Sequence, residues 1–359
     1  MSDASGDAPG PSPAESHPPQ SRRDAARVRR DQVPPTGPQP QAQPHDSSAA
    51  LQQQFRAARD GLENQVAHAR AEFEEANERI KQRTGRDLIL ASLIGLAMGA
   101  VLIASLVFVK WLFLFFALAA TVLGLFEFGR ALNSVGRKMD VWPQIGAGVV
   151  LVLAGYFLDP WLQWVTTFVA VAFVIVWRLL AQMASHDGRM YGAVLADVLV
   201  AGFAQLYVAF LASLCVVLLR QDGGEWWVLG FIIIAVASDT GAYASGLAFG
   251  RHPMAPRISP KKTWEGFAGA ALAALVAGLL VGLFMLHIPW WAGLILGAVI
   301  LLTATAGDLA ESMIKRDLGI KDMSSWLPGH GGVLDRLDSI LLSIVAALAL
   351  YYLLTPLAV

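Results

Sequence analysis

A polar segment from Ser312 to Asp338 lies between two long apolar stretches of the chain and combines acids, bases and glycines. Acids hold cations, bases hold phosphates, and glycines bring backbone N–H groups close to a ligand. Phosphoryl or nucleotidyl chemistry beside a membrane needs this combination. The ionisable residues here and just upstream are Asp308, Glu311, Lys315, Arg316, Asp317, Lys321, Asp322, His330, Asp335, Arg336 and Asp338.

The end of this segment has the composition of a cation and phosphate site. Its glycines and histidine are Gly329, His330, Gly331 and Gly332. A backbone rich in glycine turns tightly enough to wrap a phosphate. His330 is predicted either to contact substrate or to have a structural role. Asp335 and Asp338 follow at i, i+3 where the last helix is predicted to begin. Hard oxygen ligands without cysteine suit Mg²⁺.

A second cluster follows the eighth apolar stretch. Asp308, Glu311 and Lys315 are spaced i, i+3 and i+7, so a continuing helix would place them on one face. Arg316 adds a second base. The cluster is therefore either a salt-bridge network or a place where a cation and a phosphate bind side by side.

A third cluster begins inside the sixth apolar stretch. Asp239 and Tyr243 are one helical turn apart and share a face. An acid at that depth is costly and is a functional-site hypothesis, with hydrogen bonding to a neighbouring helix as the alternative. Tyr243 is predicted to contact substrate.

The same cluster ends in Ser259-Pro260-Lys261-Lys262-Thr263-Trp264-Glu265-Gly266. Ser259 or Thr263 can cap the helix that follows, and a helix N-terminus with lysines and hydroxyls binds anions. Lysines of this kind are also common at the cytoplasmic ends of membrane spans, but that alternative does not explain Glu265. We predict a phosphate site here.

The elements that must position these clusters are membrane helices. The chain has 359 residues, 55% hydrophobic and 15% charged, with a mean hydropathy of +0.51. This composition indicates an all-α, polytopic integral membrane protein. A single cysteine, Cys215, excludes an intramolecular disulfide and a thiolate metal cluster. Nine apolar spans are predicted, with eight as the alternative, at residues 88–109, 111–128, 142–158, 161–180, 193–219, 227–249, 265–287, 289–306 and 337–355.

Three regions follow from the composition. Residues 1–50 are proline-rich and predicted to be a disordered tail, and residues 51–87 form a helical juxtamembrane segment with a thin heptad stripe. Residues 88–359 form the transmembrane domain. With the N-terminus inside, all of the 27 lysines and arginines except Lys110 and Arg220 lie on the inner side. This bias predicts cytoplasmic site loops in the cytoplasmic (inner) membrane.

These motifs resemble the signature of the phosphatidate cytidylyltransferases (CDP-diacylglycerol synthases). The stretch from Asp239 to Gly266 and the polytopic core from about Leu88 onward are similar to the same family. Leu247 departs from the pattern, because many members have a basic residue there. The signature positions are Ser312, Met313, Ile314, Lys315, Arg316, Lys321, Asp322, Pro328, His330, Gly331, Gly332, Asp335, Arg336, Leu337 and Asp338.

The resemblance implies that CTP and phosphatidic acid react to give CDP-diacylglycerol and pyrophosphate. It implies Mg²⁺, with a second cation such as K⁺, and a homodimer in the bilayer, without a nucleic-acid partner. Asp308 and Asp335 would be metal ligands. Phosphate contacts would come from Lys262, Lys315, Arg316 and Arg336, and pyrophosphate or ribose contacts from His330, Gly331 and Gly332. Metal support or lysine orientation would come from Asp239, Glu265, Glu311 and Asp338.

Two other functions stay open at this point. A CTP-dependent polyprenol or diacylglycerol kinase would use similar nucleotide contacts but would transfer the γ-phosphoryl group and release CDP. A secondary transporter would also use intramembrane Asp239 and glycine-broken helices. The ionisable residues, however, concentrate in the last third of the chain, whereas transporters show matching interruptions in two halves.

Overall fold

A computed structural model gives the fold of this chain and describes residue 59 and residues 88–185, 187–320, 323–324 and 332–358. The chain separates into two units, residues 1–67 and 68–359. All described residues except Arg59 belong to the second unit. The predicted disordered tail and, apart from helical Arg59, the predicted juxtamembrane segment lie outside the described residues.

Each of the nine predicted spans is helical. The helices are α1 (Leu88–Phe108), α2 (Lys110–Ser134), α3 (Val141–Phe157), α4 (Pro160–Ala184), α5 (Tyr191–Ala204), α6 (Leu211–Arg220), α7 (Gly224–Phe249), α8 (Trp264–Phe284), α9 (Trp290–Asp317) and α10 (Leu334–Leu354). A π-helical turn, Gln205–Phe210, joins α5 and α6 into one rod of 30 residues. A 3₁₀ turn, Thr355–Leu357, follows α10.

Within the described part of the chain, seven helices are long and apolar enough to cross a membrane. The other two apolar stretches are shorter: they are the part of α1 from Gly95 to Phe108 and the helix α3, Val141–Phe157. Large apolar side chains point outward from several spans, for example Phe168 at 71% exposure and Leu272 at 68%. Apolar surface of this extent suits contact with lipid. The prediction of a polytopic α-helical membrane protein is therefore confirmed, and the count of nine spans is approximate.

Close packing between α7, α8 and α9 depends on residues without side chains. A Cβ added to Gly278 on α8 would lie 2.5 Å from the Gly293 carbonyl oxygen on α9. On α7, a Cβ at Gly241 would lie 2.7 Å from the Gly269 carbonyl oxygen. Small residues at such crossings let helix backbones approach closely. The Gly241–Gly269 contact lies near the ends of α7 and α8 that carry polar residues, whereas the Gly278–Gly293 contact holds α8 and α9 together at their opposite ends.

A two-stranded antiparallel hairpin precedes α8 and was not predicted. It consists of β1 (Pro253–Ala255) and β2 (Ser259–Thr263). Its prolines do not suit a regular strand, so no strand was predicted over these residues. β2 runs directly into α8, and the Thr263 hydroxyl caps that helix by accepting a hydrogen bond from Gly266 N at 3.1 Å. The hairpin thereby fixes the position of Lys261 and Lys262.

Candidate active site

A polar cavity of about 380 Å³ lies where the hairpin and the ends of α7, α8, α9 and α10 meet. Four aspartates and three bases line it, together with Tyr243 and Thr263. These charged residues are Asp239, Asp308, Asp335, Asp338, Lys261, Lys262 and Arg336. The three sequence clusters, spread over about 100 positions of the chain, therefore converge on one cavity.

Asp308 and Lys262 form an ion pair across this cavity. Asp308 lies on α9 and Lys262 on β2, and both side chains are about one quarter exposed. Ser312, one turn along α9, is 3.4 Å from the Asp308 carboxylate. The pair thus places an acid and a base next to each other in the lining of the cavity. A metal-bound phosphate can engage both groups.

Asp335 accepts hydrogen bonds from three donors at the start of α10. They are Lys315 Nζ at 2.9 Å, Gly332 N at 2.8 Å and Met323 N at 3.1 Å. Its side chain is only 6% exposed. Asp335 therefore organises the backbone on both sides of residues 325–331 and also presents a carboxylate to the cavity.

Further acids lie deeper in the site. Asp239 accepts a hydrogen bond from Ser339 Oγ at 3.2 Å, so it bonds to a neighbouring helix and also lines the cavity. Glu311 is fully buried, and neither of its carboxylate oxygens accepts a hydrogen bond from a described residue. Lys315 Nζ lies 3.6 Å from the Glu311 carboxylate, and Asp338 is the acidic neighbour of Glu311. Neighbouring buried carboxylates need a cation or a proton.

Several predicted residues have positions beside the cavity rather than in its lining. Arg316 Nε donates to the Ile258 carbonyl oxygen at 3.1 Å and so ties α9 to the hairpin. Glu265 accepts hydrogen bonds from Arg251 N and His252 N at 3.1 and 3.2 Å, which fixes the entry to the hairpin. Ser259 begins β2. His330 and Gly331 lie outside the described residues.

One buried acid that sequence analysis missed supports the site from a distance. Glu127, on α2, is 1% exposed. Its Oε1 accepts hydrogen bonds from Ser324 Oγ at 2.6 Å and Val333 N at 3.0 Å, and its Oε2 accepts one from Leu334 N at 3.0 Å. It therefore caps α10, for which no capping side chain comes from the residue preceding the helix.

The position of Glu127 had a signal in the sequence. It is an acid at the end of an apolar span, and the rule that drew attention to Asp239 applies to it equally.

The Glu127 carboxylate also explains why residue 332 is a glycine. A Cβ at Gly332 would lie 2.7 Å from Glu127 Oε2 and 3.1 Å from Asp335 Oδ2. Glycine at this position therefore lets the two carboxylates approach the backbone without displacement of either side chain.

The fold and the site together define a class of protein. It is a polytopic α-helical membrane protein with a polar cavity at the helix ends, and both carboxylates and bases line this cavity. Such a lining suits a phosphate-bearing ligand accompanied by a cation. Without a cation, the acids of this lining would repel a phosphate. The bases by themselves do not compensate all of the carboxylates.

Comparison with known proteins gives the family. Residues 90–354 match the model of the cytidylyltransferase family. The phosphatidate cytidylyltransferases of Mycobacterium bovis and Mycobacterium tuberculosis are each 40% identical to this chain over 278 residues, which is 74% of this chain and 88% and 82% of those proteins. That of Mycobacterium leprae is 38% identical over 281 residues, 74% of this chain and 88% of the relative. The chain belongs to the cytidylyltransferase family.

Proposed function

We propose that this protein transfers the cytidylyl group of CTP to phosphatidic acid, giving CDP-diacylglycerol and pyrophosphate for phospholipid biosynthesis. The observation that carries the proposal is the cavity at the helix ends, where Asp308 and Lys262 meet beside Arg336. The family and the names of the relatives support the same reaction.

In this reaction an oxygen of the lipid phosphate attacks the α-phosphorus of CTP. The new P–O bond forms as the bond between the α-phosphorus and the bridging oxygen breaks, and pyrophosphate leaves with the electron pair. Both reactants are anions, so neutralisation and alignment are the main tasks of the protein. Lys261, Lys262 and Arg336 supply the positive charge in the cavity. No general base is needed, because a phosphate monoester is largely ionised near neutral pH.

The carboxylates fit a divalent cation that is shared with substrate. No three histidine, cysteine or acidic side chains among the described residues are arranged to hold a metal ion alone. Mg²⁺ typically takes one or two carboxylates plus substrate phosphates, which agrees with this finding. Glu311 is buried beside Asp338, with Lys315 Nζ at 3.6 Å, and a cation or a proton must balance these neighbouring carboxylates. We assign Mg²⁺ to Asp308 and Asp335, supported by Asp239, Glu311 and Asp338, with K⁺ as a second cation. Bound there, the metal neutralises phosphate charge.

The remaining site residues have supporting roles in this proposal. Lys315 holds Asp335 in place at 2.9 Å, and Arg316 fixes the hairpin that carries Lys262. Thr263 and Ser259 set the start of α8 and of β2. Tyr243 lines the cavity and contacts substrate. Contacts to pyrophosphate or ribose come from His330, Gly331 and Gly332.

The proposal includes a place for the protein in the cell. CTP is cytosolic, and the lysine and arginine bias puts the N-terminus and the site loops on the cytoplasmic side of the cytoplasmic membrane. The protein acts there as a homodimer. Cross-linking in intact membranes and labelling of exposed loops from either side test these two statements.

Labelled CTP tests the reaction itself. Full-length protein in detergent is given phosphatidic acid, Mg²⁺ and CTP labelled on the α- or the γ-phosphate. We expect α-label in lipid and γ-label in pyrophosphate, with loss of transfer on chelation of the metal. Asp308→Asn and Asp335→Asn should each lower kcat/KM by about a hundredfold or more. The exposed Asp317→Asn, at the end of the same helix α9, is the matched control.

The label also separates the alternatives. γ-Label in the lipid would identify a lipid kinase instead. No transfer of either label by the parent protein to any lipid phosphate or lipid alcohol would refute the proposal.

A further inference from the structure

A second cavity, of about 170 Å³, lies on the other side of the first turns of α10. Its lining comes from α1, α2, α6, α7 and α10 and is almost wholly apolar. Phe113, Ala120, Cys215 and Ile340 are representative lining residues. The exception is Arg336, which lines this cavity and also the polar cavity. One side chain therefore borders both spaces.

The pattern of α10 explains how one helix serves two cavities. Asp335 and Asp338 face the polar cavity, whereas Leu337, Ile340 and Ile344 face the apolar one. Spacings of three, four and seven residues place the apolar set on one face of the helix. From residue 336 to residue 344 the apolar cavity follows the helix axis for about 12 Å, given a rise of 1.5 Å per residue. It thus leads from the arginine inward along a membrane-spanning helix.

The apolar cavity also has room that the tight helix crossings lack. A Cβ added to Gly99 on α1 would meet no atom within 4 Å. At Gly278, by contrast, it would lie 2.5 Å from a backbone oxygen. The cavity favours an apolar occupant, because the Arg336 guanidinium and the weakly polar Cys215 thiol are the polar side-chain groups in its described lining.

We propose that this cavity binds an acyl chain of the lipid substrate while Arg336 contacts the phosphate of the same molecule. This inference rests on the proposed function. A diacylglycerol phosphate has an anionic head directly joined to apolar chains, and a polar and an apolar cavity that both border Arg336 match that arrangement. The cavity thereby aligns the lipid phosphate with the nucleotide site and makes the enzyme sensitive to chain length.

Cavity-filling variants test the proposal. Gly99→Leu and Ala120→Phe place side chains in the apolar cavity. Ala119→Phe is the matched control, because Ala119 neighbours Ala120 on α2 but is exposed and outside the lining. Elution profiles and thermal unfolding first establish that all three variants are folded. Transfer is then measured at saturating CTP with phosphatidic acids that carry two oleoyl or two hexanoyl chains.

We expect both cavity variants to raise the KM for dioleoyl phosphatidic acid by about tenfold, which corresponds to the exclusion of about two methylene groups. The KM for CTP, the kcat and the kinetics with the dihexanoyl lipid should change little. The control should match the parent. An unchanged KM for the dioleoyl lipid, or an equal rise for both lipids, would overturn the inference.

A binding measurement keeps the inference separate from the reaction. Phosphatidic acid with a photoreactive diazirine in one acyl chain is cross-linked to the protein, and labelled peptides are mapped by mass spectrometry. We expect labels on the α2, α6 and α10 residues that line the cavity, reduced in Gly99→Leu and Ala120→Phe only. If this pattern appears in a protein without transferase activity, the proposed function fails and the lipid site stands. Labels confined to the outer, lipid-facing residues would refute the lipid site.

Discussion

Replacement of Glu127 by glutamine should slow the reaction although residue 127 is outside the cavity lining. Its carboxylate accepts hydrogen bonds from Ser324 Oγ, Val333 N and Leu334 N. Those donors flank residues 325–331 and begin the helix that carries Asp335 and Arg336. Glu127 is therefore a positioning residue, and its effect on activity passes through the start of α10.

The expected fall in kcat follows from the hydrogen bonds that the Glu127 carboxylate accepts. Glutamine keeps one acceptor oxygen for two donors but turns an NH₂ group toward Leu334 N, so one charge-assisted bond is lost, at about 1.5–3 kcal/mol. If about 2 kcal/mol of that loss falls on ordering of the site, kcat falls about 30-fold. Glu127→Ala removes all three bonds, leaves buried donors unpaired and should cost about 3 kcal/mol or more.

The assay compares kcat, the KM for each substrate and thermal unfolding for Glu127→Gln, Glu127→Ala and a control. Glu225→Gln is that control, because Glu225 lies at the start of α7 and pairs with Lys110 at 2.7 Å, away from the site residues. We expect a fall in kcat larger than the rise in either KM. A merely structural role would lower the yield of folded protein without altering kcat per folded molecule. Parent-like kcat in both Glu127 variants would refute the positioning role.

Two further predictions concern the bases and the helix packing. Lys262→Met should raise the KM for CTP by about 10- to 100-fold, because one charge-assisted hydrogen bond to phosphate is lost, whereas Lys110→Met should leave this KM unchanged. The measurement is steady-state kinetics at saturating phosphatidic acid. An unaltered KM for CTP in Lys262→Met would show that Lys262 does not bind the nucleotide. Gly278→Ala should destabilise the protein by about 1–3 kcal/mol, because its Cβ would lie 2.5 Å from a backbone oxygen. Gly146→Ala, which meets no atom within 4 Å, is its control in thermal unfolding, and equal stability of the two variants would contradict the tight α8–α9 crossing.

The helices were predictable because each membrane span is a local property of the sequence. About twenty apolar residues satisfy the bilayer and the backbone together, so all nine apolar stretches became helices. Their ends were less predictable. The eighth span was predicted to end at residue 306, yet α9 continues to Asp317 and carries Asp308 and Lys315 as helical residues. A polar turn continues a helix when its side chains find partners, and sequence alone did not show those partners.

The composition of the site was also visible in the sequence. Asp308, Asp335 and Lys262 were singled out from their types and spacing and from the family resemblance. What no spacing revealed was which acid meets which base. Lys262 pairs with Asp308 rather than with Glu265 three positions away, because the hairpin directs the lysine into the cavity.

Sequence by itself determined the helical membrane architecture, the polar clusters and the family signature, since these depend on composition and short-range order. Only the tertiary structure decided the cap that Glu127 provides to a helix 207 positions later. It alone decided the hairpin and the shared position of Arg336 between a polar and an apolar cavity. The physical reason is that hydrogen bonds and cavities form between elements whose separation along the chain carries no information about their distance in space.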